Sequence, residues 1–340
     1  MSLTILSPQR RETAMAIRAS EQEQVAGPSG VLPVDKPSGI TSHDVVDALR
    51  RLYGIRRIGH TGTLDPAASG LLLITLGSAT RVAAYISAQP KTYAATIRFG
   101  AVSDTGDADG DITPVADAVL PDLQRLESLL LGFVGPISLT IPSYAAVRSG
   151  GRRRYELARR GEAVPSATRM INVYSLQLLS YVAPDVQVRV RCSAGTYVRS
   201  LAAAVGEKAG CGGYLTALRR EEIGHCHVRG AFTLETIERL AIEGQTLPQP
   251  RPVEEFLDLP EIIVTATGYK RVAHGQGIRP EDIESVQGRF ADGDTIALCD
   301  SEERIIALGS SLFDSARWPD ALEPGAMLFR YKRVLIPSIT

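Results

Sequence analysis

The chain has 340 residues, 44% of them hydrophobic and 22% charged, with a formal net charge of −1. That balance fits a globular chain with room for one large and one smaller domain, and it supplies no overall positive field, so any contact with nucleic acid has to rest on local clusters. No apolar run approaches the roughly 20 residues of a membrane span, and the four cysteines show no CxxC spacing, which argues against a disulfide framework or a zinc knuckle.

Met1–Ala26 is polar, with Arg10, Arg11 and Arg18 but no apolar h-region. It reads as a disordered tail reaching to about residue 29 rather than as a signal peptide, and points to a cytoplasmic protein. Val31–Asp35 is a short apolar strand ending in the turn Lys36-Pro37-Ser38-Gly39. Thr41 and Asp44 have the spacing of a capping box, and Val45, Leu49, Leu52 and Tyr53 then fall on one helical face. His60–Gly70, HTGTLDPAASG, is a loop leading into an apolar strand at Leu71–Leu76, and Ser78–Ala88 reads as a helix.

Lys91–Phe99 alternates strictly, as a half-buried strand does. Asp104–Asp111 is an acidic loop that fails the EF-hand pattern, since Thr105 and Ala116 stand where the first and twelfth ligands belong. Leu123–Phe133 is an amphipathic helix, Ile171–Tyr181 and Val186–Cys192 a strand pair, Thr196–Lys208 a helix, and Thr233–Glu243 a helix capped by Thr233. His225-Cys226-His227 lacks a second ligand pair, so no metal is expected there.

Composition then shifts: prolines crowd Leu247–Pro252 and recur at Pro260, which marks a linker over 247–260. Residues 261–340 hold short strands at Ile262–Thr265, Thr295–Cys299, Arg304–Leu308 and Met327–Ile336, a small β-rich domain. The expected class is α+β, without a regular βαβ rhythm and without a GxGxxG or P-loop signature.

Four constellations carry chemistry. Asp65 is one carboxylate on a loop held against a buried strand; it reads either as a turn residue or as a placed catalytic acid. From Arg148 to Arg169 stand seven arginines, Arg148, Arg152, Arg153, Arg154, Arg159, Arg160 and Arg169, against only Glu156 and Glu162. This segment reads either as a solvated helix face or, with Gly150 and Gly151 before it and Tyr155 inside it, as a mobile element gripping phosphates. Gly195-Thr196-Tyr197-Val198-Arg199 lies at a strand-to-helix junction, where Arg199 can pair with a carboxylate such as Asp65. Tyr93 is either core or a flat face for a base.

GVLPVDKPSGITSHDVV, GHTGTLDPAASGLLLITLGSATR, KTYAATIRFG, SDTGDADG and CSAGTYVRSLAAAVGEKAGCGGYLTALRR, in this order, resemble the TruB family of tRNA pseudouridine synthases from about Gly30 to Glu238. The terminal region, with HGQGI, is similar to that family's PUA-type RNA-binding domain. The resemblance implies a pseudouridine-synthase sheet, mixed and mostly antiparallel, in a catalytic domain over 30–246, with a basic thumb inserted at about 142–169 and a PUA-like domain at 261–340. It implies conversion of uridine 55 in the tRNA T arm to pseudouridine by base flipping, aspartate-dependent cleavage of the glycosidic bond, rotation of the uracil and carbon–carbon bond formation. No cofactor or metal is implied, no membrane and no obligatory protein partner; a monomer is expected.

By the same resemblance Asp65 is the catalytic aspartate, Tyr93 stacks on the base and helps in proton transfer, and Arg199 holds Asp65. His60 fills the gap left by the flipped base, and Tyr197 and Leu218 line the base pocket. Arg148, Arg152, Arg153, Arg154 and Arg159 contact RNA, while Lys36, Gly62 and Pro66 are structural support. The aspartate can act as nucleophile at the sugar or the pyrimidine, or as base at C2′, and these stay open. Thr140 stands where the family carries Gln, and the following SYAAVR is one residue short, so local thumb geometry departs from the pattern. The rival readings are a non-catalytic RNA binder on the same scaffold, a hydrolase releasing the base, and a relative working in a guide-RNA complex.

Overall fold

The structure is a computed structural model that describes residues 28–144, 147–149, 152–154, 160, 162, 164–318, 323 and 325–336. The expected tail up to residue 27, and Gly150, Gly151, Tyr155 and Arg159, lie outside the described residues.

Strand β1 (Gly30–Lys36) leads through a turn into α1 (Ser42–Tyr53), where Thr41 and Asp44 form the expected capping box. β2 (Ile58–His60) and β3 (Ser69–Leu76) bracket the HTGTLDPAASG loop. The single helix expected over 78–88 is instead a 3₁₀ turn at Gly77–Arg81 and a short α2 (Ala83–Ser87). The break falls at Val82, whose non-helical backbone turns the chain so that Ala79, Val82 and Ile86 all enter one apolar layer.

β4 (Lys91–Phe99) has the alternation read from the sequence from Tyr93 onward, while Thr92 on its other face is buried. The acidic loop lies between β5 (Ala101–Ser103) and β6 (Ile112–Pro114), which pair with each other. α3 (Leu123–Leu131) and β7 (Gly135–Thr140) follow, and in the basic segment β8 (Arg148–Ser149) pairs with β9 (Arg152–Arg153). The long hairpin β10 (Thr168–Val182) and β11 (Asp185–Cys192) leads to α4 (Val198–Ala209). β12 (Gly213–Ile223), β13 (Cys226–His227), β14 (Phe232–Thr233) and α5 (Leu234–Ile242) complete the first unit, Thr233 capping α5 as expected.

Among the described residues, all of these strands except the separate pairs β5-β6 and β8-β9 form one ten-stranded mixed sheet, with the path β14-β1-β3-β12-β4-β11-β10-β7 and with β2 and β13 paired beside it. Most neighbours are antiparallel, but β12 meets β3 in parallel through Arg219 and Arg220 against Ser69 and Gly70. Gly70 makes that meeting possible: its φ is +107°, and any Cβ there would run into the Arg220 main chain. β12 thereby brings Leu218 and Arg220 beside the loop that carries Asp65.

The proline-rich stretch is not a free linker. Tyr53 Oη donates to Pro248 O at 2.6 Å, Val31 and Arg251 exchange main-chain hydrogen bonds, and Phe256 is buried. Beyond it, β15 (Glu261–Val264), α6 (Ala266–Ala273), β16 (Ile283–Gln287), β17 (Thr295–Cys299), β18 (Ile305–Ser311) and β19 (Phe329–Val334) build a separate five-stranded sheet, ordered β16-β15-β17-β18-β19. One apolar cluster joins the two sheets, with Val31, Leu71, Leu73 and Ile86 on one side and Ile263, Ala297 and Leu308 on the other. Apolar burial of this kind contributes about 25 cal/mol per Å². The class is α+β, and among the described residues no helix is long and apolar enough to cross a membrane.

Candidate active site

The loop carrying Asp65 is stitched down from both sides. The buried ammonium of Lys36 donates to Pro37 O at 2.8 Å, Ile40 O at 2.7 Å and Pro66 O at 3.2 Å, tying the end of β1 to the turn after Asp65. Gly39 N donates to Pro66 O, and Ser38 Oγ to Ala67 O. The Ser42 hydroxyl accepts from Leu64 N at 2.9 Å and donates to Leu64 O at 3.2 Å. Ala68 N closes a turn on Asp65 O. A loop with its carbonyls bound this way holds one carboxylate in one place.

Arg199, in the first turn of α4, reaches that carboxylate. Its Nε lies 3.0 Å from Asp65 Oδ2 and its Nη2 3.5 Å from Oδ1. The same guanidinium donates to Thr105 O at 3.0 Å and Tyr144 O at 3.2 Å, and its Nη1 lies 3.4 Å from Asp107 Oδ2. Arg199 is buried, whereas the Asp65 side chain keeps 42% of its surface open to solvent, as a residue presented to a cleft does. Burial among protein groups pushes the Asp65 carboxyl above the ordinary aspartate range, Arg199 pulls it back, and Asp107 pushes it up again.

These groups meet at a cavity of about 260 Å³. Thr63, Asp65, Lys91, Tyr93, Tyr197, Arg199, Leu218 and Arg220 all contribute to its wall. A larger groove, about 460 Å³, follows Ser38, Ala94, Thr96, Thr216 and Arg219 along the sheet but includes neither Asp65 nor Arg199.

Tyr93 is buried and shares the cavity wall with Arg220, a fully buried residue that donates from Nε to Leu71 O at 2.7 Å and from Nη2 to Gly62 O at 3.0 Å. Burial pushes the Tyr93 phenol up, so it keeps its proton at neutral pH. Gly62, at φ +144°, passes its backbone close to the Arg220 guanidinium and the Lys91 side chain. Burial pushes the Lys91 ammonium down to about 8. Burial, reinforced by Arg220 and His43, pushes the half-buried His60 imidazole down, leaving it neutral at pH 7, and its Nδ1 accepts from Gly62 N at 3.3 Å. Tyr197 and Leu218 join the wall, whereas His60 stands outside it, two residues from Gly62.

The structure therefore brings Asp65, Arg199, Tyr93, Tyr197 and Leu218 together. Arg154 is placed differently from an RNA-gripping side chain. It is buried, and its guanidinium donates to Ile141 O, Pro142 O and Pro165 O, bracing the base of the basic segment from inside. Arg148, Arg152 and Arg153 lie on the paired strands β8 and β9. His225 and His227 engage Glu255 O and Arg229 N. Among the described residues no group of three or more His, Cys, Asp or Glu is placed to hold a metal.

Three participants escaped the sequence reading. Asp107 is one of four acids in DTGDADGD, and only the fold shows which of them meets Arg199. Lys91 stood only as the first residue of a strand and Arg220 lay in a stretch with no element assigned; that each opens or interrupts a buried stretch is the one signal that could have found them.

Residues 50–198 match the TruB family pseudouridylate synthase (N terminal domain). The tRNA pseudouridine synthase B of Syntrophotalea carbinolica is 40% identical over 247 residues, covering 73% of this chain and 81% of that protein. The tRNA pseudouridine synthase B of Burkholderia mallei is 37% identical over 307 residues, covering 90% and 94%. Among solved structures, the chain superposes on one from a Cbf5-Nop10-Gar1 complex with a TM-score of 0.72 at 24% identity, covering 92% of this chain and 86% of that one, a likeness of fold.

Proposed function

The chain belongs to the TruB family and is a tRNA pseudouridine synthase, an isomerase; from that premise we propose that it converts uridine 55 in the T arm of tRNA to pseudouridine, with Asp65 as the catalytic residue. The observation that carries this reading is the Asp65 carboxylate, held 3.0 Å from a buried Arg199 in the wall of a cavity that an aromatic ring also lines.

Isomerisation conserves every atom: the C1′–N1 bond breaks, the uracil turns, and a C1′–C5 bond forms. No redox partner is called for, but the free ring has to stay enclosed between the two bonds. Extracting the base from a folded arm costs a few kcal/mol, offset by stacking and by a side chain filling the vacated place. Tyr93 supplies the flat face and, with its proton retained, a donor rather than a resident base. His60, neutral and at the approach to the cavity, fills the gap in the arm without burying a charge. Arg199 pulls the Asp65 carboxyl back against the rise that burial imposes and fixes its position at the cavity, so its activation is a matter of placement. Tyr197 and Leu218 complete the pocket, while Lys36, Gly62 and Pro66 fix the loop.

The arginines of the basic segment other than the buried Arg154, and the C-terminal, PUA-like sheet, supply phosphate contacts, so affinity falls with salt. The enzyme works as a monomer in the cytoplasm without an obligatory partner or cofactor. Asp65→Asn is expected to fold and bind a T-arm transcript while producing no pseudouridine by chemical mapping. Pseudouridine formed by that variant would overturn the assignment.

A further inference from the structure

Among the described residues, two buried cations in the wall of the cavity have no carboxylate partner. Lys91 donates to Ser87 O at 2.6 Å and Gln89 O at 2.7 Å, and Arg220 to Leu71 O and Gly62 O. The ionisable groups that act on Lys91 are Arg220, a like charge, and Cys192, whose thiol burial pushes up to about 11 and so keeps neutral. The carboxylate on this cavity, Asp65, is already bound by Arg199. Buried charges are ordinarily paired, and an unpaired one is costly. A cavity with two cations beyond those its carboxylate neutralises is complementary to a bound anion.

We infer that Lys91, together with Arg220, forms an electropositive wall that stabilises the negative charge left on the uracil ring when its bond to the sugar breaks. This rests on the proposed reading of the cavity as the uracil pocket. When C1′–N1 breaks, the electron pair stays on N1 and spreads to the ring oxygens, so the detached uracil is an anion. The same is true whether Asp65 attacks the sugar or removes the C2′ proton. The ring becomes neutral again when its electron pair forms the C5–C1′ bond, as the Asp65 carboxylate leaves C1′ or returns the proton to C2′; the C5 proton is then lost and N1 gains one, with no further change of charge. The anion exists only between the two bonds, so a fixed positive wall favours the reaction more than it favours the neutral substrate.

The test separates charge from scaffolding through the leaving group. Fluorine at C5 withdraws electrons and stabilises the uracil anion by itself. Lys91→Met in the full chain is expected to slow single-turnover conversion of a uridine T-arm transcript about 100-fold. It is expected to slow loss of the parent nucleoside from a 5-fluorouridine transcript by less than about 5-fold, with the dissociation constant for either RNA changed less than about 2-fold. Lys91→Arg is expected to restore most of the uridine rate, and Lys91→Gln makes the same comparison if the methionine variant does not fold. Equal slowing on both substrates, or no slowing, overturns the inference. Wild-type enzyme that makes no pseudouridine in the T arm overturns the proposed function and this inference with it, whereas activity with an indifferent Lys91 overturns the inference alone.

Discussion

The two sheets handle buried charge in opposite ways. Among the described residues, the buried ionic side chains of the five-stranded unit are carboxylates, Asp282 and Asp300, and each is matched on the spot. Asp282 meets Arg271 at 3.2 Å and accepts from Arg279 N, and Asp300 accepts from two main-chain amides and from Arg304 Nε at 2.9 Å. In the ten-stranded unit and its basic insertion they are the cations Lys36, Lys91, Arg154, Arg199 and Arg220. Of these, Arg199 has carboxylate partners; the other four donate to main-chain carbonyls. Local neutrality marks charge that holds structure together. Four of the five cations crowd around one loop and one cavity, and this imbalance marks the place where a charge is still to arrive.

The largest expected effect breaks the site half of that contrast. Asp65→Asn removes the site's own anion and should lower pseudouridine formation by about 10,000-fold or more, read as rate per enzyme on a T-arm transcript, with binding retained. Next comes Arg199→Met, which leaves Asp65 and Asp107 without their shared cation. Breaking a buried pair costs about 3–5 kcal/mol, so conversion should fall by about 100- to 1,000-fold. With Arg199 gone the Asp65 carboxyl rises further, and the acid limb of the pH–rate profile should move to higher pH. If that limb stays in place, Arg199 does not set the ionisation of Asp65.

What the sequence disclosed follows the same division. β4 was legible because, from Tyr93 to Phe99, less buried side chains alternate with buried apolar ones, although Lys91 and Thr92 at its start are both buried. β12 was not, although it lies mid-sheet: its Arg219, Arg220, Glu221 and Glu222 erase the apolar pattern, since Arg219 and Glu221 are paired with Asp35 and Arg189 while Arg220 is turned inward. Asp65 and Arg199 stood out through turn chemistry and a junction motif. Asp107 did not, because contact across more than ninety residues of chain leaves no local mark. The proline-rich stretch misled in the other direction: prolines report a chain that is not helical, not one that is free of contacts.

The structural half of the contrast is tested by Asp282→Asn. Arg271 then loses its carboxylate, and the protein should lose about 3 kcal/mol of stability by denaturant titration. Single-turnover conversion by the folded fraction should stay within about 2-fold of wild type. A loss of rate as large as the loss of stability would mean that the two sheets are not separable in this way.

The smallest effect is one of sign. Burial alone would raise the Asp300 carboxyl, but the hydrogen bonds from Arg304 and from the Arg304 and Glu302 amides outweigh it and hold it below the ordinary aspartate value of 3.8. Its contribution to stability is therefore complete above 3.8 and is lost as the pH falls through its folded value. Asp65 is shifted the other way. Between its folded value and 3.8 the native state holds a proton that the unfolded chain has released, so stability falls as the pH rises through that window. Denaturant midpoints from pH 7 to about 3 should thus show wild type gaining on Asp65→Asn as the solution is acidified towards 3.8, and losing ground to Asp300→Asn below it. The same slope for both variants would sink the distinction, because a carboxylate held ready for chemistry and one spent on structure must respond to protons with opposite signs.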